Sequence, residues 1–196
     1  MAGSKHHLST PIDDAAVRGL HCGDLVFISG RICTARDAAH KYLASPEAQL
    51  PAGLQLAGAA LYHCGPVVIG ADGAWQVTAA GPTTSAREEP YQGEVLRRYG
   101  VRAIIGKGGM GDATRRALAE CGAVYLSAVG GAAQVLAASV QRVEDVYFLE
   151  EFGSPEAMWS LFVHDFPAVV TMDSTGESLH DRVLRQSSAI AEILLR

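Results

Sequence analysis

From Tyr99 onward the chain alternates short apolar runs with helical stretches, and this rhythm constrains its fold more than any other feature. "VRAIIG" (101–106) leads into a glycine loop and then a helical pattern from about Asp112 to Cys121. "AVYLSAV" (123–129) leads into Gly130-Gly131 and an Ala-rich helical stretch. Strands covered on both faces read as continuous apolar runs, and joining them in parallel needs a crossover helix. The pattern predicts βαβ units in an α/β domain.

The first third carries different signals. "DLVFISGRI" (24–32), "GPVVIG" (65–70) and "WQVTAAG" (75–81) are short, glycine-bounded and β-branched, which predicts a small β layer ahead of the βαβ units. Further strands are expected in "VEDVYFLEEF" (143–152) and "FPAVVTMD" (166–173), separated by "SPEAMWSLFV" (154–163) as a short helix turning into a strand. Leu179, Val183, Leu184, Ile190, Ile193 and Leu194 recur at helical spacing and predict a closing helix. The stretch 45–58 reads as loop, and neither repeats nor low-complexity segments interrupt the chain. With 196 residues, a single domain over 8–196 is expected, preceded by a loose tail over 1–7.

A hydrophobic fraction of 48% with 19% charged residues belongs to a folding chain rather than a disordered one. The net charge of −5 argues against a broad nucleic-acid surface and leaves room only for a small local anion pocket. No apolar run reaches the roughly 20 residues of a membrane helix, and "MAGSKHHLST" lacks a secretory apolar core, so a cytoplasmic protein is expected. Cys22, Cys33, Cys64 and Cys121 contain no C-x-x-C pair, so no metal cage built by this chain alone is expected.

Three junctions combine a strand end, a helix start and a cation. In "SGRICTARDAAHKYL" (29–43), Thr34 and Asp37 have capping-box spacing, which places Arg36 in the first helical turn. A cation there opposes the helix dipole unless an anion lies close, so Arg36 reads either as an exposed partner of a neighbouring carboxylate or as a grip on a ligand carboxylate. "GPTTSAREE" (81–89) repeats the arrangement: Thr84 or Ser85 as cap, Glu88 completing a box, Arg87 in the first turn, and Thr83 free to face a ligand. "VRAIIGKGGMG" (101–111) runs from a strand into a glycine loop bearing Lys107, a possible anion nest that lacks the spacing of a nucleotide phosphate loop. Arg36, Arg87 and Lys107 thus share the place where α/β sheets bind ligands, and suit a small dicarboxylate or a phosphate equally.

In order along the chain, "TPIDDAAVRGLHCGDLVFISGRICTARDAAHKYL", "YHCGPV", "AAGPTTSAR", "GVRAIIGKGGM", "SAVGGAA", "EEFGSPEAMW" and "DFPAVVTMDSTGESLH" resemble the β subunit of the iron–sulfur hydro-lyases, class I fumarate hydratase and L(+)-tartrate dehydratase. The likeness runs from about Leu8 to His180. It implies a swivelling β/β/α domain that works with an iron–sulfur α subunit, as a heterodimer or heterotetramer. It also implies that the 4Fe-4S cluster is carried by that α subunit, leaving the four cysteines here without a ligand role. The implied reaction is reversible hydration of fumarate to L-malate, a step of the tricarboxylic acid cycle, or dehydration of tartrate to oxaloacetate. The cluster's open iron would act there as Lewis acid on the substrate hydroxyl.

Carried over by position, the family's substrate contacts fall on Arg36, Thr83, Arg87 and Lys107, with Thr84 beside them, and Thr83 is similar to a family threonine at the proton-transfer step. His63 is expected to be a packed, hydrogen-bonded residue and His40 a supporting helix residue. The reading from another class is a non-catalytic module that senses a dicarboxylate or phosphate through the same junctions.

Overall fold

The computed structural model describes residues 3–71 and 73–195 as an α/β chain. In order, the elements are β1 (Lys5–Ser9), α1 (Asp14–Arg18), β2 (Leu25–Thr34), α2 (Asp37–Leu43), β3 (Ala60–Tyr62), β4 (Val67–Ala71) and β5 (Ala74–Ala79). A 3-10 turn (Ser85–Arg87) leads into α3 (Glu89–Tyr99), β6 (Ala103–Gly106), α4 (Asp112–Cys121), β7 (Val124–Ser127) and α5 (Ala133–Ala138). The chain ends with β8 (Val140–Tyr147), α6 (Leu149–Phe152), β9 (Met158–Met172) and α7 (Leu179–Leu194).

Seven strands form one sheet in the order β1-β2-β3-β6-β7-β9-β8, and β2 also pairs with β9. The second pairing returns the sheet on itself through β2, β3, β6, β7 and β9. Strands β2, β3, β6 and β7 run parallel, while β9 is antiparallel to β2, β7 and β8. The βαβ reading of the later chain is therefore met at β6, α4 and β7.

Side chains alternate across the central strands with the two-residue period of a pleat. Ala60, Tyr62, Ala103, Ile105, Val124 and Leu126 join Ile32, Trp159, Leu161 and Phe166 in one buried cluster. Leu61, Ile104 and Tyr125 face the other way, against Leu43, Val95, Leu96, Ala117 and Leu118 of helices α2, α3 and α4. Both faces are covered, which is why these strands carry no polar alternation. Left-handed glycines, Gly100 and Gly122, close α3 and α4 immediately before the returning chain.

Four expectations about the strands change. Residues 5–7, expected in a loose tail, lie in β1, where Lys5 to Ser9 pair in register with Leu25 to Ser29; residues 1 and 2 lie outside the described residues. The expected separate β layer is divided, because β4 and β5 form a two-stranded hairpin sheet while β2 joins the main sheet. "VEDVYFLEEF" stops being strand at Tyr147, since Phe148 adopts a left-handed conformation (φ 59°) that turns the chain into α6. "SPEAMWSLFV" and "FPAVVTMD" merge into the single long strand β9.

Helix α7 forms where the spacing placed it and is capped by Ser178, whose Oγ accepts the N–H of Asp181 at 3.2 Å. None of its described residues is buried, and Val183, Leu184, Ile190, Ile193 and Leu194 remain exposed. Helical spacing reveals an amphipathic stripe without revealing what covers it.

Thr34 does not cap α2 as the T-x-x-D spacing suggested. Its side chain is buried, accepts the N–H of Trp159 at 2.9 Å and donates to the carbonyl of Ala157 at 3.3 Å. It thereby ties the end of β2 to the start of β9. Replacing Thr34 by Val strips both backbone groups of their partner in a dry site. The expected result is a loss of about 1–3 kcal/mol in stability, measured by urea unfolding.

Candidate active site

The site forms at the carboxyl ends of the parallel strands β2, β3 and β6, the end of an α/β sheet where ligands are usually held. Ala35 N–H donates to Tyr62 O at 2.9 Å and His63 N–H to Ile105 O at 2.8 Å, so parallel pairing continues one residue past each strand. Beyond that point the strands part. The segment 83–85 enters the gap: Thr83 N–H donates to His63 O at 2.7 Å, Lys107 N–H to Thr83 O at 3.3 Å, and Ser85 N–H to Lys107 O at 3.1 Å. The Thr83 hydroxyl also donates to His63 O, at 3.0 Å.

This insertion brings together the residues expected from sequence. Arg36 follows β2 and is mostly buried; its guanidinium donates to Pro155 O at 3.2 Å and pairs with Glu156 at 3.0 Å. Arg87 stands half exposed, and its guanidinium lies 3.4 Å from Asp37, a carboxylate that also lies 3.8 Å from Arg36. Lys107 is partly exposed and takes part in no ion pair among the described residues. Thr84 is exposed beside it, joined to Lys107 by a parallel bridge. Asp37 thus brings the guanidinium groups of Arg36 and Arg87 together, and backbone bonds place Lys107 beside Thr83 and Ser85 on the neighbouring loops.

The capping devices expected from sequence are absent. Arg36 is itself the N-cap of α2, without a side-chain cap bond, and the first turn is served from a distance by Glu156, whose Oε2 accepts Ala38 N–H at 3.0 Å. Neither Thr84 nor Ser85 caps through its side chain. Ser85 is instead buried, with Oγ 2.8 Å from His63 Nδ1 and 2.9 Å from the Tyr125 hydroxyl. A local motif can be outcompeted when a buried partner offers a drier bond.

Glycine makes the close approaches possible. A Cβ on Gly106 would meet Ser85 Oγ at 1.9 Å, and one on Gly65 would meet Pro155 O at 2.5 Å and the Arg36 guanidinium at 2.8 Å. Only a hydrogen fits at either place.

Below the mouth lies a buried polar layer that sequence reading reached only in part. His63 is packed and hydrogen-bonded as expected, and His40 supports α2 through Nδ1, 3.0 Å from Arg36 O. Both rings meet at Gln92, which the sequence did not single out, with Nε2 distances of 3.0 and 2.9 Å to its amide. Its only sequence signal is a polar residue on the otherwise inward face of α3. Glu88, also buried, has both carboxyl oxygens without a hydrogen-bond partner. Burial, with Asp37 nearby, pushes the Glu88 carboxyl up to about 7. Burial lowers the His40 imidazole to about 4 and holds His63 well below its ordinary range, where the neighbouring His40 and Arg87 add to the effect.

The cysteines do not offer this site an iron–sulfur ligand set. Cys33 and Cys64 are buried, Cys22 and Cys121 half-buried, and all four thiols are free. Burial pushes the Cys33, Cys64 and Cys22 thiols up to about 11, 12 and 12. Among the described residues, no three of His, Cys, Asp and Glu gather where they could hold a metal ion. The described residues thus do not fit a 4Fe-4S cluster.

Comparison with known proteins bears on the chain as a whole. The family described as Fumarase C-terminus matches residues 3–183. A Geobacillus stearothermophilus protein provisionally named fumarate hydratase class I is 54% identical over 181 residues, covering 92% of this chain and 34% of that protein. The chain therefore spans about a third of that relative's length. A Methanocaldococcus jannaschii protein provisionally named L(+)-tartrate dehydratase subunit beta is 43% identical over 172 residues, covering 85% of this chain and 87% of that one. The L(+)-tartrate dehydratase subunit beta of Escherichia coli K12 is 34% identical over 176 residues, covering 89% and 86%.

The buried layer makes stability depend on pH in two opposed ways. Between about 4.5 and 7 the folded chain keeps a proton on Glu88 that the unfolded chain has lost, so this group destabilises the fold as pH rises. Between about 4 and 6.5 the unfolded chain binds a proton at His40 that the folded chain refuses, and His63 acts in the same sense, so the histidines destabilise the fold as pH falls. Glu88→Gln removes only the first contribution. Urea unfolding from pH 5 to 8 is expected to show a steeper rise of stability with pH in the variant and a more stable variant at pH 8.

Proposed function

Because the chain belongs to the Fumarase C-terminus family, we propose that it is the β subunit of a heteromeric class I fumarate hydratase, supplying the dicarboxylate grip to a site completed by an iron–sulfur α subunit. One observation supports this reading: Arg36 and Arg87 meet through Asp37 on loops next to the one that carries Lys107, whose backbone is bonded to Thr83. Guanidinium groups bind carboxylates through paired N–H bonds, and an ammonium adds a mobile point charge. The present arginine pairing through Asp37 is long and partly exposed, the kind of ion pair that exchanges readily for a ligand carboxylate.

In this role Arg36 is the fixed anchor, because Pro155, Glu156 and the gap left by Gly65 define its position. Arg87 and Lys107 are the adaptable partners. Together they hold a four-carbon diacid by its carboxylates and offset negative charge that grows as the proton beside a carboxylate leaves. Thr83 stands at the proton-transfer position. Its hydrogen is engaged on His63 O, which aims the oxygen, and neighbouring cations reduce the cost of charge on a hydroxyl that is a weak base alone. Thr84 completes the mouth as a second hydroxyl.

In this proposal the cluster belongs to the α subunit, where it would supply Lewis acidity toward the substrate hydroxyl; this chain binds, orients and handles the proton. The α subunit and the small dicarboxylate are the partners, in a heterodimer or heterotetramer working in the cytoplasm. Among the described residues no helix is long and apolar enough to cross a membrane. A second reading, the β subunit of an L(+)-tartrate dehydratase, draws support from the two relatives that carry that name and match this chain over most of their length.

The test is anaerobic reconstitution with a cluster-bearing α subunit, followed by assays of fumarate, L-malate and L(+)-tartrate turnover. Malate–fumarate interconversion is expected, with a loss of about 100-fold or more in kcat/KM for Arg87→Ala. Turnover of tartrate alone would select the dehydratase reading. Full activity in Arg87→Ala would overturn the substrate-binding role of Arg87, and tight dicarboxylate binding by this chain with no competent partner would overturn the hydro-lyase assignment in favour of a sensor module.

A further inference from the structure

The proton positions in the buried layer are fixed by a short chain of donors and acceptors. His40 Nδ1 stands 3.0 Å from the carbonyl oxygen of Arg36, and a carbonyl only accepts, so this nitrogen carries a hydrogen. A hydrogen on Nε2 as well would make the ring a cation. His40 and His63 are wholly buried, and neither lies within ion-pairing distance of a carboxylate among the described residues, so a charge there would be uncompensated. His40 Nε2 is therefore an acceptor.

The group of Gln92 facing it must then donate. In the recorded orientation, the amide oxygen faces both rings, and the amide nitrogen is buried with no acceptor. Oxygen and nitrogen of an amide have nearly the same shape, so turning the amide by half a revolution keeps the packing and reverses the chemistry. The NH2 group then offers one hydrogen to each ring, 3.0 Å from His40 and 2.9 Å from His63. His63, neutral and accepting at Nε2, donates from Nδ1 to Ser85 Oγ at 2.8 Å. On the other side the amide oxygen replaces an orphaned donor.

We propose that Gln92 is the positioning residue of the dicarboxylate site, donating to Nε2 of both His40 and His63 and holding each ring as the neutral Nδ1–H tautomer. One amide then joins the two arms of the grip. Through His40 it fixes the main chain of Arg36, and through His63 it fixes the carbonyl that accepts both the N–H and the hydroxyl of Thr83. The role in catalysis rests on the hydro-lyase reading; the tautomers do not.

Nitrogen-15 NMR of the histidine rings in the full chain tests the assignment, with His40→Asn and His63→Asn identifying the signals. Both rings are expected to show a protonated Nδ1 and a bare Nε2 at pH 7. An Nε2–H tautomer or an imidazolium pattern in either ring overturns the proposal. Gln92→Glu keeps the shape, removes both hydrogens and places a carboxylate between the rings, so an imidazolium pattern is expected at pH 7. In the reconstituted enzyme, the same variant is expected to lose about 100-fold in kcat/KM for L-malate, because the arms are no longer held in register. A variant with wild-type tautomers and wild-type kcat/KM overturns the positioning role. Wild-type tautomers as expected in an assembled enzyme inactive on every diacid support the amide assignment and overturn the hydro-lyase reading instead.

Discussion

The site depends on one main-chain insertion, the segment Thr83–Ser85 bonded between the ends of β3 and β6. Those strands pair in parallel from Ala60 to Tyr62 and then separate, which exposes the carbonyl of His63 and the N–H and carbonyl of Lys107. A buried backbone group without a partner is costly, so the gap must be filled by another piece of chain. Filling it places the Thr83 hydroxyl on His63 and aligns Thr84 with Lys107. The proposed binding residues Thr83, Thr84 and Lys107 are thus positioned by backbone bonds, whose geometry varies far less than that of long exposed side chains.

Two kinds of support surround this insertion. Above it, charged groups are partly exposed and adaptable, as the shared Asp37 between Arg36 and Arg87 illustrates. Beneath it, His40, His63, Gln92, Ser85 and Tyr125 form a dry hydrogen-bonded layer. In low dielectric such a layer is rigid when every donor finds an acceptor, and costly when one does not. This division suits a site that must meet a charged ligand from one side while keeping its own frame fixed. Glu88 lies at the boundary, buried like the lower layer but close to the cations of the upper one.

The mouth also draws on a remote part of the chain. Pro155 and Glu156 precede β9, yet they define Arg36 and serve the first turn of α2. The pairing of β9 with β2 brings them there, and the Thr34 bonds to Ala157 and Trp159 lock the two strands at that level. Closing the sheet and positioning Arg36 for the proposed anion grip are therefore parts of one arrangement.

By itself, the sequence determined the later βαβ elements, the existence of α7 and the family likeness, and it singled out Arg36, Arg87, Lys107 and Thr83 as candidates. Apolar period, glycine punctuation and strand-to-helix junctions are local patterns, written in adjacent residues, and so can be read directly. Tertiary structure alone decided what Thr34 and Ser85 do: both carry correct local capping signals, but each found a buried partner more than 20 positions away along the chain. It also decided the exposure of the α7 stripe, the membership of β2 and β1 in the main sheet, and the meeting of His40 with His63 at Gln92. The physical reason is common to all of them. A dry hydrogen bond or a strand pairing is a property of two distant segments, and neither segment records its partner in its own local sequence.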